Sequence, residues 1–99
     1  MANKTTVHRL SVVVASDGAA VIVSGAQLSM LQFVREHPGA LYEEIAEHIG
    51  FDRASVNTYA SRLDRAKLVR RKSVKVEGRI RAAVHLARGV NLNVRVRKV

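Results

Sequence analysis

The sequence predicts an α+β domain in which a helical middle lies between β-rich ends. Valine-rich runs near both termini favour strands through β-branching, as in Val12-Val13-Val14 and Val94-Arg95-Val96. Between Leu28 and Leu63 the apolar residues recur at helical spacing, and from Leu68 onward the period drops to two. At 99 residues the chain suits one compact domain. Its expected parts are an N-terminal hairpin over 1–24, a three-helix core over 25–67, a second hairpin over 68–87 and a final strand over 90–97.

The N-terminal hairpin is read from two apolar runs, Val7 to Ala15 and Ala19 to Val23, separated by Ser16-Asp17-Gly18. Asp-Gly favours a two-residue loop. That register sets Val12 and Val14 opposite Val23 and Val21, and Val13 and Ala15 opposite Ile22 and Ala20. Both faces are then apolar, so the hairpin calls for cover on both sides. The cover is either the chain's own helix and C-terminal strand or a second subunit.

Ser24 followed by Gln27 is a capping-box pattern, with Val23 and Leu28 placed for a hydrophobic staple. Leu28, Leu31 and Val34 mark the apolar face of this first helix, which His37-Pro38-Gly39 ends. Ile45, Ala46 and Ile49 mark a second helix and Val56, Tyr59, Ala60 and Leu63 a third. Gly50 suits the left-handed residue that closes the second helix, and Asp52 suits the N-cap of the third. The second helix lacks a capping residue at Leu41-Tyr42-Glu43, although Glu43 and Glu44 complement its dipole. Glu44 and His48 are spaced for a helical ion pair.

In the second hairpin Val74 and Val76 alternate with Ser73 and Lys75, and Ile80, Ala82, Val84 and Leu86 alternate with Arg79, Arg81 and His85. A two-residue loop at Glu77-Gly78 would mix the two faces. The expected loop is therefore Val76-Glu77-Gly78, with Lys75 opposite Arg79 and Ser73 opposite Arg81 on a basic face. After Arg88-Gly89, the alternation of Val90, Leu92, Val94 and Val96 with Asn91, Asn93, Arg95 and Arg97 reads as a half-buried strand.

Charge is unevenly distributed. Seventeen Lys and Arg oppose eight acids, for a net +9. Residues 1–52 hold three basic and six acidic side chains, whereas residues 53–99 hold fourteen and two. The second half calls for a polyanion, and with no basic amphipathic helix to lie on a membrane, nucleic acid is the expected partner. The absence of cysteine removes disulfides, thiolate metal sites and cysteine nucleophiles, and fits a cytoplasmic, nucleoid-associated protein. Asp17-Gly18 interrupts the first apolar run too early for a signal peptide or membrane span. Asp17, Asp52 and Asp64 are scattered and no phosphate loop is present, so neither an enzyme nor a cofactor is expected. A metal site is not expected either, since Glu44 and His48 lack further ligands.

The segment from Glu44-Ile45-Ala46 through Ile49-Gly50, Val56 and Leu63 to Leu68-Val69 resembles the bacterial and archaeal winged helix-turn-helix regulators of the MarR and Lrp types. Ala46 stands where two helices cross, Gly50 at the turn, and Leu68-Val69-Arg70-Arg71 where the first wing strand starts. The resemblance covers about residues 26–88 and implies a three-helix core with a C-terminal wing that binds double-stranded DNA as a transcriptional regulator. The N-terminal hairpin and the strand after Gly89 depart from the family pattern, in which extra helices often supply dimer contacts or ligand pockets.

With Val56, Ala60 and Leu63 turned inward, a step of about 100° per residue puts Ala54, Thr58, Ser61 and Arg65 on the opposite face, flanked by Asn57 and Arg62. Small side chains allow close entry to the major groove, where Ala54 and Thr58 meet thymine methyls and Asn57 suits adenine. Arg62 reaches guanine or phosphate, and Arg53 meets phosphate. On the wing, repulsion between Lys75 and Arg79 is relieved by phosphate, with Lys72 and Arg81 beside them. A homodimer on two half-sites is expected. The other reading is a phage or mobile-element accessory factor that turns the same fold toward a protein partner, motivated by the doubly apolar hairpin.

Overall fold

Turn and cap residues set the element boundaries in the computed structural model, which describes residues 11–92. Strands β1 (Ser11–Val14) and β2 (Ala20–Val23) form the first hairpin. Helices α1 (Gly25–Glu36), α2 (Tyr42–Ile49) and α3 (Arg53–Arg65) follow, with the short strand β3 (Ala40–Leu41) between the first two. Strands β4 (Val69–Val76) and β5 (Arg79–Leu86) form the second hairpin. The sheet order is β3-β5-β4, antiparallel throughout. Three helices followed by this hairpin make the winged-helix form of an α+β fold.

The capping box at Ser24 is complete. Ser24 Oγ accepts from the Gln27 N–H at 3.2 Å, and Gln27 Oε1 accepts from the Ser24 N–H at 2.9 Å. Beyond α1, Gly39 takes a φ of +82° and donates its N–H to the Val84 carbonyl, which delivers the chain into β3. No Ser, Thr, Asp or Asn stands at the start of α2, yet it is capped. Glu44 Oε1 accepts from the Leu41 N–H at 2.8 Å, so the carboxylate supplies half of a capping box. This corrects the expected Glu44–His48 pair: Glu44 turns to the helix start, while the His48 ring stacks on Phe33 with centroids 4.4 Å apart. Gly50 is left-handed at the end of α2, and Asp52 Oδ1 accepts from the Ser55 N–H at 2.7 Å. Donation by that N–H, and then by the Ser55 hydroxyl, holds the Asp52 carboxyl below its ordinary pKa.

One core joins these elements. Val13 and Val23 of the hairpin, Met30, Leu31 and Val34 of α1, Ile45 of α2, Val56, Ala60 and Leu63 of α3, and Leu68, Val69 and Val84 at the base of the wing are all buried in it. The first hairpin is also fastened to the end of α3. Ser16 donates its N–H to the Lys67 carbonyl, and the Lys67 ammonium lies 3.6 Å from Asp17.

Both hairpin registers differ by one residue from expectation. In the first, Ser16-Asp17-Gly18 is a three-residue loop with Gly18 left-handed at φ +86° and Asp17 Oδ1 accepting from the Ala19 N–H. Val13 consequently faces Val21 and Ser11 faces Val23 on the inner side, with Val12 against Ile22 and Val14 against Ala20 outside. In the wing the reverse holds. Glu77 and Gly78 are both left-handed, at φ +52° and +79°, and close a two-residue turn whose twist suits the strands. Lys75 therefore faces Ile80, Ser73 faces Ala82 and Val74 faces Arg81, so Lys75 does not oppose Arg79 and the expected basic face does not form. The mixing of faces costs little there because the wing beyond Ser73 extends past the core, leaving Val76 and Ile80 exposed.

Of the expected strand over 90–97, Asn91 bridges Val14 through reciprocal backbone bonds of 3.0 Å and Leu92 is buried. Arg95, Arg97 and Lys98 lie outside the described residues, as does the segment from Val7 to Leu10.

Glu77 holds a backbone conformation that costs a non-glycine residue about 1 kcal/mol, and asparagine adopts it more readily. Glu77→Asn is expected to raise the free energy of unfolding by about 0.5–1 kcal/mol in urea titration with the slope unchanged.

Candidate nucleic-acid interface

The apolar stripe of α3 decides which of its residues meet solvent. With Val56, Ala60 and Leu63 buried, Arg53, Ala54, Asn57, Thr58, Arg62 and Arg65 are exposed. Thr58 Oγ1 donates to the Ala54 carbonyl at 3.1 Å, which commits the hydroxyl proton to the helix and leaves the methyl group for an apolar contact. Ser61 differs from its neighbours. It is half-buried, and its hydroxyl accepts from Arg71 Nη1 at 3.1 Å.

Arg71 links α2, α3 and β4, a role that no local pattern in the sequence announces. From β4 its guanidinium also reaches Asp64 Oδ2 through Nε at 2.8 Å and the Tyr42 hydroxyl through Nη1 at 3.4 Å. One planar cation thus ties the first residue of α2 and the second half of α3 to the first wing strand. The Tyr42 hydroxyl and the Asp64 carboxylate together raise its pKa above the ordinary arginine value. No local periodicity links Asp64 to Arg71, because the chain turns between them at Lys67, whose φ is +63°.

A second polar centre forms around Glu43. Its Oε1 lies 2.9 Å from Arg81 Nη1 and 3.6 Å from Arg53 Nε, joining the start of α2 to the wing and to the start of α3. The sequence showed Glu43 only as a partner for the helix dipole. Two of the eleven candidate residues therefore share one carboxylate.

Strict alternation sorts the wing. Arg71, Ser73 and Lys75 share one face with Ile80 and Ala82, whereas Lys72, Val74 and Val76 share the other with Arg79 and Arg81. On the first face Arg71 reaches Ser61 and Asp64 of α3 as well as Tyr42, and on the second Arg81 reaches Glu43 of α2. Lys75 shares the face of Arg71, while Lys72, Arg79 and Arg81 stand across the ribbon from it. Among the described residues no three His, Cys, Asp or Glu side chains gather as a metal site would require. No described helix is long and apolar enough to cross a membrane.

The family model of the MarR family matches residues 23–80, more than half of the chain. The chain belongs to the MarR family. Among solved structures, YusO from Bacillus subtilis is similar at 28% identity and a TM-score of 0.60, covering 66% of this chain and 45% of its own. PcaV, a transcriptional regulator from Streptomyces coelicolor solved with its natural ligand, gives 26% identity and a TM-score of 0.56 over 67% of this chain and 46% of its own. MepR, a transcription regulator of the Staphylococcus aureus multidrug efflux pump MepA, shares the fold at 22% identity and a TM-score of 0.57, covering 67% and 48%. A search of curated protein sequences returns no match. This MarR-family chain spans about half the length of those structures, and β1 lies before the matched segment.

The Arg71 hub is open to a coupling test. Asp64→Asn and Arg71→Met are each expected to lower stability by about 1 kcal/mol, since the Arg71 and Asp64 side chains are 33% and 39% exposed. The double variant should lose less than the sum of the two in a double-mutant cycle by urea unfolding; additive losses would mean that the pair does not interact.

Proposed function

We propose that this chain is a DNA-binding transcriptional regulator that sets α3 into the major groove and lays its wing along the phosphate backbone. The observation that carries the reading is the exposed face of α3, where Ala54, Asn57, Thr58 and Arg62 project beside an extended ribbon bearing Lys72, Lys75, Arg79 and Arg81. Asn57 offers the paired donor and acceptor that suit adenine, Ala54 and the Thr58 methyl suit thymine, and Arg62 suits guanine or a nearby phosphate. Arg53, Arg65 and the wing cations supply attraction that does not depend on sequence. Ser61 acts through Arg71, holding the helix and wing at a fixed angle. Membership of the MarR family supports transcription control, a homodimer on two half-sites and a cytoplasmic location beside the nucleoid.

Glu43 moderates the affinity in this account. Phosphate and the Glu43 carboxylate compete for Arg53 and Arg81, so part of the positive field is already matched within the protein.

One set of binding titrations covers these assignments, with duplexes first selected from a random library. If about six phosphates are neutralised, log K falls against log salt with a slope of about −5, and a flat response contradicts the model. Asn57→Ala is expected to relax base preference at one position while leaving the slope unchanged, and Arg79→Ala to weaken all sequences alike. Glu43→Gln should tighten every duplex by about threefold by releasing Arg53 and Arg81. Unchanged or weaker binding would show that the Glu43 links hold the wing in place rather than compete with DNA.

A further inference from the structure

Among the described residues the β1–β2 hairpin has one open edge. Ala15 donates its N–H to the Ala19 carbonyl, and the alternation of an antiparallel ladder then makes Val13–Val21 and Ser11–Val23 the hydrogen-bonded pairs. The backbone groups of Val14 point the other way, and they are taken by Asn91 at 3.0 Å. By the same rule the N–H and carbonyl groups of Ala20 and Ile22 point away from β1, along an edge of β2 that no described strand pairs. Natural edges are usually blunted by charge, proline or a bulge, and β2 has none of these in its sequence Ala-Val-Ile-Val. Ile22 is 65% exposed on it.

We infer that the β2 edge is the dimer interface, and that its occupant is β2 of a second copy of this chain, paired antiparallel about a two-fold axis through Val21. This rests on the two-copy reading above and adds to it the contact surface. The register follows from which groups are free. Placing Ala20 opposite the partner's Ile22, and Ile22 opposite the partner's Ala20, lets both residues exchange both backbone bonds. A shift of two residues would set Ala20 against Ser24, whose N–H already goes to Gln27 and whose carbonyl accepts from Leu28. The edge is thus self-complementary in one register. Charge supports a second copy as well, because neither β1 nor β2 carries a charged residue, while the chain as a whole is +9. Two such chains meet with least repulsion at this hairpin. It is also the part of the described fold that the family match, starting at Val23, leaves largely unassigned.

Sedimentation equilibrium of the full chain tests the inference without DNA. The parent is expected at twice the 10.9 kDa of one chain. Ala20→Pro removes only an outward N–H and should return the mass to one chain with the helical circular dichroism unchanged. Val21→Cys gives an independent readout in a chain that has no cysteine. Opposed non-bonded residues lie about 4.5 Å apart between Cα atoms, within the span of a disulfide, so mild oxidation should yield a covalent dimer. A parent that sediments as a single chain overturns both the edge pairing and the two-copy reading. A parent dimer that Ala20→Pro leaves intact and Val21→Cys fails to cross-link overturns the edge pairing alone.

Discussion

Burial of Val56, Ala60 and Leu63 is the constraint on which the rest of the structure depends. These side chains fix the rotation of α3 about its own axis, and every assignment on its exposed face follows from that rotation. The stripe sits against a core to which α1, α2, the first hairpin and the base of the wing all contribute. Loss of a buried leucine or valine there typically costs a few kcal/mol, whereas the outward residues answer to no packing demand. The helix can therefore change its exposed residues without changing its seat.

Polar links set what the core leaves open. Buried apolar contacts fix how α3 rotates but bear less on the angle of an exposed wing, whose outer half has no core beneath it. Arg71 and Glu43 supply that orientation from opposite faces of the ribbon, one reaching Tyr42, Ser61 and Asp64, the other joining Arg53 to Arg81. Each link is partly exposed and individually weak. Their value lies in geometry, since on the proposed function a helix and a ribbon that are to meet one duplex must keep a fixed spacing.

Much of this was legible in the sequence because it rests on local chemistry. The capping box at Ser24, the left-handed Gly50, the cap at Asp52 and the stripe of α3 each rest on steps of four positions or fewer along the chain. The two hairpin registers were not legible, and both failed at the turn. Asp17-Gly18 suits a loop of two and is the latter part of a loop of three, while Glu77-Gly78 forms a loop of two despite mixing the faces, which register disfavours only where one face is buried. Strand β3 has two residues, too few for any period to show. Arg71 and Glu43 act across elements, so their roles emerged only once β4 and β5 were placed beside α2 and α3.

The division of labour between α3 and the wing is tested most directly by backbone amide chemical shifts during titration with a selected duplex. The account predicts the largest changes at Ala54, Asn57, Thr58 and Arg62 and along Lys72 to Arg81, with β1, β2 and α1 little affected. Changes concentrated on α1 or the first hairpin, with α3 silent, would contradict it.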